Sequence, residues 1–343
     1  SLFQLRIRAD ANDPDRYAVQ IAQGGLSLPD RDYYLDPRYA DDLRAFRDYV
    51  AAMLRLAGWP EPERAADNVS ALEIAIAKAS WSRAESLDPA ATWHPMTLTK
   101  LEQAAPDFAW RPFLSAAGLG DVRDIVLAQD SAVVRLAALF AETPVSTLQA
   151  WQAFMLADNA ADVLPARFGA ARFAFRDKAL QGTPEMPPRW RRAVMLADRW
   201  MSDALNRVYV ERHLPASTRA AVAAMLTNLE KAATLRIERL DRMGPETKRE
   251  AHAKMAGLLR KIGHPDTWRD YTGLVIGNEA YANLKHARAF DWDMRTGRMA
   301  SPVDRSEWQI TPALVDATYN GSRNEVLFTA ALMQPPFFDP AAD

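Results

Sequence analysis

The chain has 343 residues, 42 basic against 44 acidic side chains, 49% hydrophobic and 25% charged residues, and no cysteine. At roughly 150 residues per domain this is about two domains with ample core, and the mixture excludes disordered and collagen-like classes. The near balance of charge argues against a chain built to neutralise a nucleic-acid backbone, and the missing cysteines exclude disulfides, thiol nucleophiles and thiolate metal sites.

Ser1–Asp10 alternates like a strand and lacks the basic, apolar and cleavage regions of a signal peptide, so it reads as the interior of a longer sequence. From Tyr39 the apolar positions Leu43, Phe46, Val50 and Met53 recur at helical spacing, and Gly58 with Pro60 supplies the stop. A second helix starts near Pro62, carries Val69, Leu72, Ile76 and Ala79 on one face, and fades around residues 82–85. The punctuated run from Asp88 to Pro95 places a candidate domain boundary near residue 85.

Short helices around 98–104 and 112–117 lead to a strand over 122–127. The spacing then predicts long helices over 131–142, 146–162, 188–213, 216–243 and 246–262, with Trp190, Val194, Ala197 and Met201 on the core stripe of the third. Near the end, Val315–Tyr319 and Glu325–Phe328 read as strands joined through Asn320-Gly321, a hairpin signal. Their free edge could accept an extended peptide. No stretch approaches the roughly 18 apolar residues of a membrane span.

Catalytic motifs are absent. The five histidines include no pair at i, i+4 and no His-Glu-x-x-His, and neither Gly-x-Ser-x-Gly nor a glycine-rich phosphate loop occurs. Arg189-Trp190-Arg191-Arg192 interleaves basic and aromatic residues, but on an amphipathic helix it reads as core plus solvated face. The residues alone reach a large helical protein with a terminal hairpin.

Several long elements, in order, resemble the neprilysin-like zinc metallopeptidases. They are Gly24-Gly25-Leu26-Ser27-Leu28-Pro29-Asp30-Arg31-Asp32-Tyr33-Tyr34-Leu35, the helix Leu205–Glu211, and Lys261-Ile262-Gly263-His264-Pro265-Asp266. The most specific is Pro302-Val303-Asp304-Arg305-Ser306-Glu307-Trp308 leading into Val315–Tyr319 and Gln334-Pro335-Pro336-Phe337-Phe338-Asp339.

The resemblance implies a mainly α fold: a helical cap portion over residues 1–85, then the mostly helical first part of a thermolysin-like catalytic domain over 86–343, with a small β element near the C-terminus. It implies peptide substrates and a zinc cofactor whose His-Glu-x-x-His follows shortly after the Gln334–Asp339 element. The zinc ligands and the glutamate base are therefore expected outside these residues, on a continuation or on a probable second chain. Catalytic and metal residues here are expected to be none, and the chain alone inactive. Asp316 and Ala317 fall on the family's Asn-Ala pair that holds the substrate backbone, and Leu332 and Phe337 on its apolar specificity pocket. Asp316 departs from the pattern, because an ionised carboxylate accepts hydrogen bonds but cannot donate one. Asn206 replaces a glycine. A non-catalytic peptide-binding relative is the competing reading, and a periplasmic location is implied by bacterial members.

Overall fold

The computed structural model describes residues 1–321 and 323–341; Ser322, in the predicted hairpin loop, and Ala342 and Asp343 lie outside the described residues. In chain order the principal elements are β1 (Phe3–Ala9), β2 (Tyr17–Gln23), α1 (Asp32–Leu35), α2 (Ala40–Leu56), α3 (Pro62–Ala79), β3 (His94–Thr97), α4 (Leu98–Ala104), α5 (Trp110–Ala116) and β4 (Asp124–Leu127). There follow α6 (Asp130–Glu142), α7 (Val145–Ala160), α8 (Ala166–Arg172) with a π-helical continuation, α9 (Arg189–His213), α10 (Ala216–Glu238) and α11 (Pro245–Ala256). Strand β5 (Leu259–Gly263), α12 (Ala280–Gly297), β6 (Ala317–Asn320) and β7 (Glu325–Thr329) complete the chain. The fold is mainly α, as expected.

Two compact units are formed, Ser1–Pro188 with Leu274–Pro302, and Arg189–Gly273 with Val303–Asp343. The division does not fall near residue 85, because one sheet, ordered β1-β2-β4-β3, takes strands from both sides of that point. Gln23 reinforces this locally: its Nε2 donates to the Trp81 carbonyl at 3.0 Å and its Oε1 accepts from the Trp81 N–H at 2.8 Å.

In the first unit the helical stripes bury as their spacing predicts. Phe46, Val50 and Met53 of α2 meet Val69, Leu72 and Ile76 of α3, with Trp151 and Phe154 of α7 fully buried beside them. The loop 24–35 is tied to this core through Glu73, which is wholly buried on α3. Glu73 accepts from Tyr34 Oη (2.5 Å), the Ser27 N–H (2.9 Å), Ser27 Oγ (2.7 Å) and Trp151 Nε1 (2.9 Å). Arg176 donates to the Ser27 carbonyl and, in a two-pronged pair, to Asp158. The length of this motif thus reflects one polar network closing a loop over a dry core.

The second unit departs from the helical reading in two places. The helix expected over 246–262 stops at Ala256, and Leu259–Gly263 is a strand paired in parallel with β7. Gly263 ends it at φ +81°, where an added Cβ would lie 2.6 Å from Leu214 Cδ2. On α9, Trp190 is 68% exposed rather than on a core stripe, and Asn206 and Val210 are the buried residues. Met201 has non-helical angles (φ −134°, ψ 46°), so the face that the first half presents is out of phase with the second. The core here is Val222, Leu226 and Met333, with Leu214, Ile262, Phe328 and Phe338 packed against it.

Candidate functional site

The second unit's sheet is ordered β5-β7-β6, which leaves β6 at an edge. It pairs antiparallel with β7, Ala317 opposite Phe328 and Asn320 opposite Glu325. At the start of this ladder the Thr329 N–H donates to the Asp316 carbonyl at 3.3 Å, and Thr329 Oγ1 donates to the same oxygen at 2.9 Å. Antiparallel geometry alternates, so Thr318 and Asn320 also turn their backbone groups to β7, while Ala317 and Tyr319 turn theirs to the open edge. Ala317, Thr318 and Tyr319 are all exposed.

The structure therefore places Asp316 and Ala317 together at the head of an exposed edge strand. It also shows where the Asp316 carboxylate goes: Oδ1 accepts the N–H of Ala317 at 2.8 Å. That donor is one of those a strand-adding peptide would use, so the carboxylate would compete with such a peptide's carbonyl. Leu332 is half-buried and Phe337 is 67% exposed, so Phe337 offers apolar surface rather than lining a closed pocket.

What holds this edge was not legible as a site in the sequence. Asn206 is fully buried; its Nδ2 donates to the Ser202 carbonyl (2.8 Å) and its Oδ1 accepts from the Ala313 N–H at 2.6 Å, anchoring the lead into β6 to α9. The glycine expected there could make neither bond. Replacing the fully buried Asn206 with Ala is expected to cost about 1–3 kcal/mol by removing its bonds to Ser202 and to the Ala313 N–H, read as a lower urea midpoint and faster exchange of that amide.

Beneath the sheet, Lys261 Nζ of β5 meets Glu325 Oε2 of β7 at 2.7 Å, the side chains only 6% and 4% exposed, and also donates to the Glu307 carbonyl at 2.6 Å. Arg323 stands 4.0 Å from the same carboxylate and 3.9 Å from Glu307 Oε2. The one signal was Glu325 in the inward phase of an alternating strand.

The residues present do not fit a zinc centre: among the described residues no group of three or more His, Cys, Asp or Glu side chains is placed to hold a metal ion. Nor is any described helix long and apolar enough to cross a membrane.

A sequence model of the family described as "Peptidase family M13" matches residues 1–265. Endothelin-converting enzyme-like 1 of Mus musculus is 25% identical, the match covering 99% of this chain and 46% of that protein. Endothelin-converting enzyme 1 of Homo sapiens is 23% identical over 98% of this chain and 46% of its own length. Among solved structures, the Mycobacterium tuberculosis zinc metalloprotease Zmp1 in complex with inhibitor is 33% identical with a TM-score of 0.93, covering all of this chain and 53% of that one. PepO from Lactobacillus rhamnosis, 19% identical with a TM-score of 0.89 over 55% of its length, shares the fold. The chain thus spans about half the length of the relatives it matches.

Proposed function

The chain belongs to peptidase family M13, and from that premise we propose that it forms the cap and the substrate-holding edge of a zinc metallopeptidase whose metal ligands and glutamate base lie in sequence outside these 343 residues. The first compact unit, Ser1–Pro188 with Leu274–Pro302, is then the cap, and the second the opening part of the catalytic domain, in place of a single boundary near residue 85. The substrate is a peptide, bound as an added strand along β6, with apolar side chains against Leu332 and Phe337. We place the zinc-bearing sequence on a continuation of the same polypeptide, because relatives about twice this length match over their shared part. Export to the periplasm belongs to the same proposal.

The observation that carries the reading is the exposed β6 edge with Asp316 and Ala317 at its head. Backbone pairing supplies affinity without sequence demands, as hydrolysis of varied peptides requires. In the test, an extended peptide is added to the 343-residue chain and amide exchange is followed residue by residue. Slower exchange at Tyr319, with no zinc by elemental analysis and no hydrolysis, is expected. Unchanged exchange along β6 would overturn the proposed substrate edge, and zinc retained by this chain alone would overturn the proposed location of the metal. Intact-mass spectrometry of the natural material distinguishes a continuation from a separate chain.

The Asp316–Ala317 bond favours a second reading, a peptide-binding relative that does not hydrolyse, since the carboxylate occupies an edge donor. Asp316→Asn supplies an amide that can donate to a substrate carbonyl. It is expected to tighten peptide binding by about tenfold, one good hydrogen bond's worth, in a calorimetric titration.

A further inference from the structure

A polar cavity of about 390 Å³ lies in the first unit, apart from the β6 edge. Three arginines from three separate segments line it: Arg6 on β1, Arg31 in the loop before α1, and Arg83 just after α3. None of the three is in an ion pair among the described residues; Arg6 donates only to the Gln4 amide oxygen, and Arg31 Nη1 to the Ser80 carbonyl at 2.5 Å. Arg31 Nε is buried with no acceptor. Asp30 is the single acidic residue of the lining, and its Oδ1 is already accepting the Asp32 N–H. Glu85 accepts the Ser82 N–H and Oγ at 2.6 and 2.7 Å through Oε2, and its carboxylate also feels the Arg31 charge.

The walls are built rather than loose. The paired bonds between Gln23 and Trp81 hold the 80–83 segment to β2, and the Gln23 N–H donates to Gln129 Oε1 at 3.2 Å. The Glu73 network fixes the facing loop through Ser27 and Tyr34. Three guanidiniums line this one small cavity, and guanidinium forks match planar or tetrahedral oxyanions. The lining carries three positive charges against one negative, which suits a doubly charged ligand.

We propose that this cavity is an anion-binding site for a doubly charged oxyanion, a phosphate group or a pair of carboxylates such as an acidic peptide end presents. Inorganic phosphate and succinate are titrated separately into the chain by calorimetry at constant ionic strength set with sodium chloride. A saturable one-to-one heat for either is expected, together with at least tenfold weaker binding in Arg6→Gln/Arg83→Gln. Both replaced side chains are exposed, so the fold should survive, and Arg83→Gln alone is the fallback if the double variant does not fold. Phosphate binding without succinate binding assigns a phosphoryl ligand, and the reverse a dicarboxylate; each upholds the site. No saturable heat from either anion, or binding that persists undiminished in the arginine variants, overturns it.

Discussion

Glu73→Ala is expected to lower the stability of the chain by about 3–5 kcal/mol near pH 5, at the upper end of what a single substitution costs. The removed carboxylate is the shared acceptor of Tyr34 Oη, the Ser27 N–H and Oγ, and Trp151 Nε1, with Tyr34, Glu73 and Trp151 buried and Ser27 half-buried. Of these, the Ser27 N–H and Tyr34 Oη are left with a bond to each other, while Ser27 Oγ and Trp151 Nε1 lose their strong acceptor. The effect carries a pH signature. Burial pushes the Glu73 carboxyl above its ordinary value of 4.5, although bonds from Tyr34, Ser27 and Trp151 pull the other way. A raised folded value means that its stabilisation is complete below pH 4.5 and is lost as pH rises through the folded value. The gap between the wild-type chain and Glu73→Ala should therefore narrow with rising pH, as read from urea midpoints at pH 5 and pH 8. A gap that widens instead would show that the hydrogen bonds outweigh burial.

Glu325→Ala is expected to cost a comparable 3–5 kcal/mol, within the second unit. Truncation takes from the buried Lys261 ammonium the carboxylate it meets at 2.7 Å, leaving it the Glu307 carbonyl and the charge of Asp304, and removes one of the carboxylates that face Arg323. An unpaired buried cation is the expensive state; the pair itself is worth far less. Lys261→Met/Glu325→Leu should accordingly recover most of the loss, a contrast that a denaturation series measures directly. Because β6 pairs with β7 and, among the described residues, with no other strand, Glu325→Ala should also abolish protection along the edge and with it peptide binding, whereas the double variant should retain both. Equal losses in the single and double variants would mean that strand packing, not charge, is at stake.

Much of the architecture was legible locally. Helices α2, α3, α6, α7 and α10 begin within a residue or two of where apolar spacing and capping signals put them, since an amphipathic helix writes its period into consecutive residues. The terminal hairpin announced itself through Asn320-Gly321, and Asp316 could be singled out as a departure before its hydrogen bond was known. Strand β5 could not be found in this way. Leu259–Gly263 continues the helical phase of α11, and its partner β7 lies more than sixty residues further on, so nothing nearby distinguishes strand from helix. In the first sheet the strands over Ser1–Asp10 and 122–127 were expected and are β1 and β4, but β2, β3 and the assembly of the four were not, as β2 pairs in parallel with β4 across a hundred residues. Trp190 was misplaced because period alone does not reveal the break at Met201.

The sequence by itself determined the helical class, the family resemblance, the edge hairpin and the lack of a His-Glu-x-x-His, since each is carried by residue identity or short-range spacing. Only the tertiary structure decided where the compact units divide, that Asp316 takes the Ala317 N–H, that Asn206 anchors the lead into β6, and that Lys261 faces Glu325. Those outcomes depend on groups distant in sequence meeting at hydrogen-bond range out of water, where the strength of a polar contact is set by burial and by which other groups compete for it.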